Sequence, residues 1–313
     1  MKSPGPMKFL GPMRSLGPMR SLLFVPGDSP RKLEKGLTSG ADALILDLED
    51  AVAPGAKAEA RRITAHFITA TRDTADRPLL YVRVNGFDTG MIDDDLAGVM
   101  QAGPDGIVLP KACGGADVAR LGTKLAVWEA KAGTTDGATR VLALAAESAR
   151  GIFALGTFAG ASERLMGLTW GGEDLSADVG AETNRDASGA YTEPYRLARS
   201  LTLFAAAAAS VTAVDAVYTN FRDLDGLAAE CREGRRDGFV AKMAIHPAQV
   251  PVINAAFTPS AEAVTRARAV IAAFRANPDA GVVGVDGEML DRPHLLRAER
   301  VLSRLGPSER EGA

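Results

Sequence analysis

Short apolar runs alternate with longer amphipathic segments along most of this chain, starting near Ser21. This alternation is typical of repeated β-α units and predicts a parallel sheet. The predicted strands are residues 22–25, 43–48, 79–84, 106–109, 141–146, 165–170, 213–217 and 239–244. Eight such units favour a (β/α)₈ barrel, although an open doubly wound sheet stays possible because periodicity cannot show closure.

The amphipathic segments predict helices, several of which are followed by glycine, a common end signal. They cover residues 30–39, 57–71, 116–132, 191–209 and 224–234. Two more helices, at 260–276 and 293–305, follow the last strand and exceed what a minimal barrel needs. We therefore predict a barrel over residues 19–258 and a C-terminal helical lid or oligomerisation segment over 259–313.

The first residues repeat a Gly-Pro-Met pattern at Gly5, Gly11 and Gly17. The recurring Gly-Pro pairs and basic residues leave no apolar stretch of the length that a signal peptide needs. We expect residues 1–18 to be a disordered extension of the fold.

The amino-acid composition argues against several classes of function. The net charge of −3 and the 5% of aromatic residues argue against an extended nucleic-acid surface. No apolar stretch approaches the roughly 20 residues that span a bilayer. Cys113 and Cys231 are isolated thiols, which suits a reducing compartment. We expect a cytoplasmic protein that binds neither nucleic acid nor membrane.

Two acidic residues follow consecutive predicted strands. Glu147 comes after the strand at 141–146, and Asp174 follows the strand at 165–170. In a parallel barrel both carboxylates emerge at the same end, where active sites lie. With only 3 histidines in the chain, oxygen ligands suit Mg²⁺ or Mn²⁺ better than zinc. Such a metal would keep positions open for water and a chelating 2-oxo acid.

Other strand ends carry further candidates. Arg83 could bind a carboxylate or an enolate oxygen, or it could neutralise the acidic residues of the neighbouring strand end, 47–50. Gly171 and Gly172 could expose backbone N–H groups to an anion. Lys111 is expected to be an ion-pair partner more than a Schiff-base lysine, and His246 a structural residue.

Seven motifs, in this order along the chain, resemble those of the citrate lyase β-subunit-like proteins, in the HpcH/HpaI aldolase group of the phosphoenolpyruvate-binding barrels. They are residues 20–27 (RSLLFVPG), 47–52 (DLEDAV), 83–85 (RVN), 109–111 (LPK), 172–178 (GEDLSAD), 242–247 (KMAIHP) and 286–291 (DGEMLD). The resemblance covers residues 19–305 and implies a TIM barrel, usually assembled as a homotrimer or homohexamer.

The resemblance also implies roles for particular residues. Glu147 and Asp174 match the magnesium ligands, and Arg83 matches the arginine that binds substrate and enolate. Asp291 matches an aspartate that a neighbouring subunit's C-terminal lid supplies for proton transfer. No Schiff base is required by the mechanism that this set implies.

Further residues are assigned to binding by their place in or near these motifs. Phe24, Gly172 and Glu173 are expected to contact substrate. Lys57 and Arg61 resemble positions near coenzyme A phosphates, with a solvated helix face as the alternative. The expected cofactor is Mg²⁺, with a coenzyme A thioester as substrate.

The resemblance implies that the protein is a carbon–carbon lyase that cleaves or forms citramalyl-CoA, malyl-CoA or citryl-CoA. Cleavage yields acetyl-CoA and a 2-oxo acid, and condensation joins them. Ser29 stands where malyl-CoA lyases carry arginine, which leaves the acyl group open. A malyl-CoA-type thioesterase and a citrate lyase β subunit with an acyl-carrier partner are the alternatives. A non-catalytic homologue is the least favoured.

Overall fold

The computed structural model describes residues 19–305. Eight parallel strands pair in sequence order and β1 closes on β8, so the predicted barrel is confirmed. The strands are β1 (Ser21–Pro26), β2 (Ala43–Asp47), β3 (Leu79–Arg83), β4 (Gly106–Leu109), β5 (Arg140–Ala146), β6 (Leu165–Trp170), β7 (Thr212–Asp215) and β8 (Ala241–Ala244).

Helices cover the barrel and follow the strands as the apolar pattern predicts. They are α1 (Pro30–Leu37), α2 (Lys57–Thr71), α3 (Ile92–Val99), α4 (Gly115–Ala132), α5 (Ala149–Ala154), α6 (Gly172–Asp178), α7 (Glu193–Ala208), α8 (Leu224–Asp237) and α9 (Val250–Phe257). The helices α3, α5, α6 and α9 were not predicted; each has eight residues or fewer, which is too short for a clear periodic signal.

The strands are buried on both faces, as helix-covered parallel strands are. Every residue of β2 and of β4 is buried, and a single apolar cluster joins the strands to the surrounding helices. The carboxyl ends of all eight strands meet at one end of the barrel, and this end is where the polar residues singled out by the sequence emerge.

The last two barrel strands are shorter than predicted. β7 ends at Asp215 because its own carboxylate accepts the N–H of Ala216, at 3.0 Å, and takes that donor out of the ladder. β8 begins at Ala241 because Phe239 still belongs to the end of α8, where its N–H donates to the carbonyl of Gly234 at 2.9 Å. At both strand ends, a backbone N–H donates to a nearby acceptor in the chain and not to the neighbouring strand.

A buried charge network lies beside β7, where backbone pairing is sparse. Only two residue pairs join β7 to β6, and two join it to β8. Asp215 accepts from Arg199 at 3.0 Å, from Lys242 at 3.3 Å and from the indole of Trp170 at 2.9 Å. Burial alone would raise the pKa of Asp215, but the charges of Lys242 and Arg199 hold it well below its usual range.

The C-terminal residues form a second compact unit. It contains α10 (Ala261–Ala276), an antiparallel hairpin of β9 (Val282–Val285) and β10 (Glu288–Asp291), and α11 (Arg292–Ser303). Two helices were predicted here, and the hairpin between them was missed. Its turn is Asp286-Gly287, with φ of 52° and 83°, a pair favoured in tight hairpins.

The predicted extension at 1–18 lies outside the described residues. The barrel boundary at 258 and the lid role of 259–313 stay predictions. Among the described helices, none combines the length and apolar character needed to cross a membrane.

Candidate active site

The candidate catalytic residues of the barrel come from adjacent strand ends. Arg83 is the last residue of β3, Glu147 directly follows β5, and Asp174 lies in the first turn of α6, just after β6. Lys111 lies among them, with its backbone nitrogen 2.6 Å from Glu147 and its ammonium 3.8 Å from Asp174, and Glu49 connects that ammonium to Arg83. The structure thus brings together three of the residues that the sequence assigns to catalysis.

Glu147 sits in a close-fitting cradle. Its Oε2 accepts the backbone N–H of Lys111 at 2.6 Å, and a side chain at Gly171 would place a Cβ 2.9 Å from Oε1. Burial raises the pKa of Glu147 to about 8, and the charge of Asp174 adds to this rise, while the Lys111 N–H opposes it. Glycine at position 171 therefore leaves room for the Glu147 carboxylate. The sequence had instead predicted that the Gly171 N–H contacts an anion.

Lys111 links the carboxylates of the site. Its backbone is left-handed, with φ of 50°, a conformation that costs free energy for a residue with a Cβ. Its ammonium lies 2.7 Å from Oε1 of Glu49 and 3.8 Å from Oδ1 of Asp174. Although partial burial alone would lower the pKa of Lys111, the hydrogen bond to Glu49 and the nearby acidic charges raise it. Lys111 is an ion-pair partner, as expected.

Arg83 is held in place before any substrate arrives. Its Nε and Nη2 donate to the two oxygens of Asp47 at 2.8 and 2.7 Å, and its guanidinium lies 4.8 Å from the ring centre of Phe24. Arg83 therefore neutralises an acidic neighbour, which is one of the two alternatives raised by the sequence, and its binding of a carboxylate or enolate oxygen through the remaining N–H donors stays a prediction. Phe24, assigned to substrate binding, supports the guanidinium from one side.

Glu49 connects Arg83 to Lys111 and was not assigned a role from the sequence. Its Oε2 lies 2.8 Å from Nη1 of Arg83, yet accepts no hydrogen bond from any residue that the structure describes. Burial raises the pKa of Glu49, and the charge of Arg83 opposes the rise. The signal that could have found Glu49 is its position two residues past a strand end, opposite two cations.

Gly172 and Glu173 lie at the start of α6. Gly172 is buried, and a Cβ on it would lie 3.3 Å from the rings of Trp170 and Tyr191. Glu173 is exposed and accepts a hydrogen bond from the Asn184 amide at 2.8 Å. Their assignment to substrate contact stays a prediction.

Lys57 does not fit the predicted contact with coenzyme A phosphates. Its buried ammonium donates to the carbonyls of Leu48 at 2.7 Å and Glu49 at 2.6 Å, and to the side chain of Asn85 at 2.9 Å. These acceptors use all N–H donors of an ammonium. Lys57 therefore fixes the loop after β2, which carries Glu49.

Arg61 is partly committed to the protein as well. Its Nε donates to Asp95 at 2.7 Å, and Nη1 lies 3.7 Å from Asp94. The side chain keeps 15% of its surface exposed, so its remaining donors can still meet a ligand. The proposed contact of Arg61 with coenzyme A stays a prediction.

Asp291 belongs to the C-terminal unit and not to the barrel. It is the last residue of β10 and the N-cap of α11, and 53% of its side-chain surface is exposed. Contact of this carboxylate with a ligand or another chain stays a prediction.

The donors at the barrel end suit a hard divalent cation. Glu147 and Asp174 are oxygen donors whose mutual repulsion raises the pKa of Glu147, and a cation between them would relieve that repulsion. Within residues 19–305, no group of three or more His, Cys, Asp or Glu is arranged as a metal site. Magnesium is often held by only one or two carboxylates, with water or substrate as the other ligands.

The amino-acid sequence of this chain is similar to a family model and to several known proteins. Residues 20–247 match the model of the HpcH/HpaI aldolase/citrate lyase family. A (3S)-malyl-CoA thioesterase from Cereibacter sphaeroides is 37% identical, with 90% of this chain and 93% of that protein covered. An L-malyl-CoA/beta-methylmalyl-CoA lyase from the same species is 33% identical, with 90% and 92% covered.

A solved structure is similar over almost the whole chain. The crystal structure of protein CitE from Mycobacterium tuberculosis, in complex with magnesium, acetoacetate and coenzyme A, has a TM-score of 0.71 and 35% identity. The alignment covers 93% of this chain and 99% of that one. The chain is therefore a member of the HpcH/HpaI aldolase/citrate lyase family.

Proposed function

We propose that this protein is a Mg²⁺-dependent carbon–carbon lyase acting on a 3-hydroxy-3-carboxyacyl thioester such as citramalyl-CoA, malyl-CoA or citryl-CoA. The products of cleavage would be acetyl-CoA and a 2-oxo acid. The observation that carries the proposal is the convergence of Arg83, Glu147 and Asp174 at one end of the barrel, where Lys111 and Glu49 connect them. The related lyase from Cereibacter sphaeroides supports this class of reaction.

Glu147 and Asp174 would hold the metal, and the magnesium in the CitE complex supports this choice. When bound, Mg²⁺ would supply Lewis-acid polarisation of the 2-oxo oxygen. Mn²⁺ has the same preference for oxygen ligands and is the alternative. The Lys111 N–H orients Glu147, and the Gly171 backbone keeps the space around it clear.

Arg83 would bind the carboxylate of the 2-oxo acid and stabilise the oxygen that carries negative charge in the transition state. Its bidentate contact with Asp47 and the ring of Phe24 hold the guanidinium in one orientation. Such preorganisation lowers the cost of aligning the group during the reaction. Positioning of this kind matters because the substrate must present its breaking bond to a fixed charge.

Cleavage leaves the electron pair of the broken carbon–carbon bond on the acetyl thioester, whose carbon then needs a proton. Asp291 would supply that proton as a carboxylic acid, and would remove it as a carboxylate in the condensation direction. We place this residue in the site of a neighbouring subunit of a homotrimer or homohexamer. Coenzyme A in the CitE complex supports a thioester substrate, and Arg61 stays our candidate for its phosphates.

Hydrolysis of a malyl-CoA-type thioester is the second candidate. The 37% identity to a (3S)-malyl-CoA thioesterase favours it, since the same carboxylates could orient water instead of an enolate. A citrate lyase β subunit with an acyl-carrier partner is a further form of the lyase proposal. A non-catalytic homologue is disfavoured because such a protein has no physical need for the assembled site.

The deciding experiment is a mass-spectrometric product assay with malyl-CoA, citramalyl-CoA and citryl-CoA, in Mg²⁺ and in EDTA. Metal-dependent formation of acetyl-CoA plus a 2-oxo acid would support the lyase and identify its acyl group. Formation of free coenzyme A and the hydroxy acid would instead support the thioesterase and contradict the lyase. Full activity of Glu147→Ala would overturn the role of the metal in either reaction.

A further inference from the structure

Asp291 and His294 are in direct contact at the start of α11. Nδ1 of His294 lies 2.5 Å from Oδ1 of Asp291 and 3.2 Å from the backbone nitrogen of Asp291. To accept the backbone N–H, Nδ1 must be unprotonated, whereas a short contact with the carboxyl needs a proton between Nδ1 and Oδ1. One nitrogen thus serves as helix cap in one protonation state and as partner of the carboxyl in another.

The charged groups around this pair come from three elements. Arg266 of α10 and Arg297 of α11 line, together with His294, a groove of about 280 Å³. Arg266 is paired with Glu288 of β10. The rest of the lining is alanine and aliphatic side chains.

We propose that His294 is a positioning residue for proton transfer by Asp291. This inference rests on the proposed function, in which Asp291 exchanges a proton with the acetyl carbon. In condensation the Asp291 carboxylate removes a proton from the acetyl methyl group, the new carbon–carbon bond turns the keto oxygen into an alkoxide, and that oxygen takes up the proton to become the hydroxyl. In cleavage the hydroxyl gives up its proton as its carbon becomes the keto carbon, the Asp291 acid gives a proton to the carbon of the departing enolate, and the hydroxyl proton restores the acid. His294 holds the carboxyl in one orientation through this contact, and the transferred proton moves between Asp291 and the substrate.

The capping role and the proton-transfer role can be separated by substitution. Glutamine at this position of a helix accepts the N-cap N–H in a capping box, so His294→Gln keeps the cap and removes the imidazole. His294→Ala removes both. Asp291→Ala tests the residue on which the inference depends.

We would measure kcat and KM in the condensation direction for the three variants, together with their melting temperatures. For His294→Gln we expect the melting temperature and KM of the wild type, and a kcat lowered about tenfold. A lowered kcat at unchanged KM and melting temperature separates a positioning role from a merely structural one.

The outcomes are distinct. If His294→Gln matches the wild type in kcat, His294 is only a helix cap and the inference is wrong, even when Asp291→Ala is inactive. If Asp291→Ala itself is fully active, the role proposed for Asp291 is overturned together with the inference. A His294→Ala protein that unfolds would not affect this decision, because the glutamine variant carries it.

Discussion

The backbone N–H of Lys111 donates to Oε2 of Glu147 over 2.6 Å, from a left-handed backbone with φ of 50°. The same residue directs its ammonium to Glu49 and towards Asp174. Lys111 therefore contributes twice to the site, once through its main chain and once through its side chain. The two contributions can be tested separately.

Lys111→Gly should fold more stably than Lys111→Val, and both should lose activity. Glycine adopts the left-handed conformation without strain and keeps the N–H that orients Glu147, but it removes the ammonium. Lys111→Val should lower the free energy of unfolding by about 1–2 kcal/mol, because a β-branched residue resists this conformation. Urea unfolding and the lyase assay measure the two effects. Equal stability of the two variants would contradict the strain at this position.

Gly171→Ala should abolish most activity with a modest effect on stability. The added Cβ would lie 2.9 Å from both Cγ and Oε1 of Glu147 and push the carboxylate out of place. A 1 Å displacement of a catalytic group can cost about a hundredfold in rate. Gly156→Ala is the matched control, since nothing lies within 4 Å of a Cβ there. Equal activity of the two variants would show that the cradle around Glu147 is not needed.

Mg²⁺ should stabilise the wild-type protein against heat, and EDTA should reverse the effect. A ligand that binds only the native state at a hundred times its Kd adds about 2.7 kcal/mol. Glu147→Gln and Asp174→Asn should show no such shift, whereas Glu173→Gln, a change of the exposed neighbour in α6, should retain it. Differential scanning fluorimetry with and without Mg²⁺ gives the answer, and a shift in all four proteins would place the metal elsewhere.

Asp215→Asn should destabilise the protein by about 3–5 kcal/mol at pH 7, because it leaves Lys242 and Arg199 buried without their counter-charge. Asp73→Asn, on the surface, should stay within about 0.5 kcal/mol of the wild type. Urea unfolding at pH 7 distinguishes the two.

The same residue predicts a loss of stability in acid. The native pKa of Asp215 is depressed, so its contribution is complete above the ordinary value of 3.8 and is lost as the pH falls below it towards the native pKa. The stability gap between wild type and Asp215→Asn should therefore narrow below about pH 4. A gap that is constant down to pH 2 would show that Asp215 titrates normally.

Mixing Asp291→Ala with Glu147→Ala should restore activity if the site is shared between chains. Each variant alone is expected to be inactive, and only a mixed oligomer can combine an intact barrel with an intact Asp291. The assay is activity after co-expression or subunit exchange, with each variant mixed with itself as the control. No recovery in verified mixed oligomers would place Asp291 in the site of its own chain.

The pattern of apolar runs predicts the barrel and the three strand-end residues Arg83, Glu147 and Asp174, because parallel strands put their carboxyl ends on one side. Such a pattern does not show which side chain each of these residues contacts. Whether Arg83 meets Asp47 depends on the register of β2 and β3, which pairs these two residues directly. Register is a property of the folded sheet.

Other misses have local causes. The hairpin β9–β10 was not predicted, although Asp286-Gly287 is a hairpin signal. Lys57 was assigned to coenzyme A because it resembles positions near the coenzyme A phosphates, whereas its ammonium donates to the carbonyls of Leu48 and Glu49 in the loop after β2. The hairpin had a signal in the local sequence. The carbonyl groups that surround the Lys57 ammonium are brought to it only by the tertiary structure.

The charge network beside β7 also limits how this sequence can change. A buried ion pair can often be replaced as a set by apolar residues of similar size, whereas loss of one partner leaves a buried charge unpaired. Asp215, Lys242 and Arg199 are therefore coupled positions, and any path that exchanges them one at a time passes through an unstable intermediate. We expect sequence drift in this part of the barrel to occur by joint replacement.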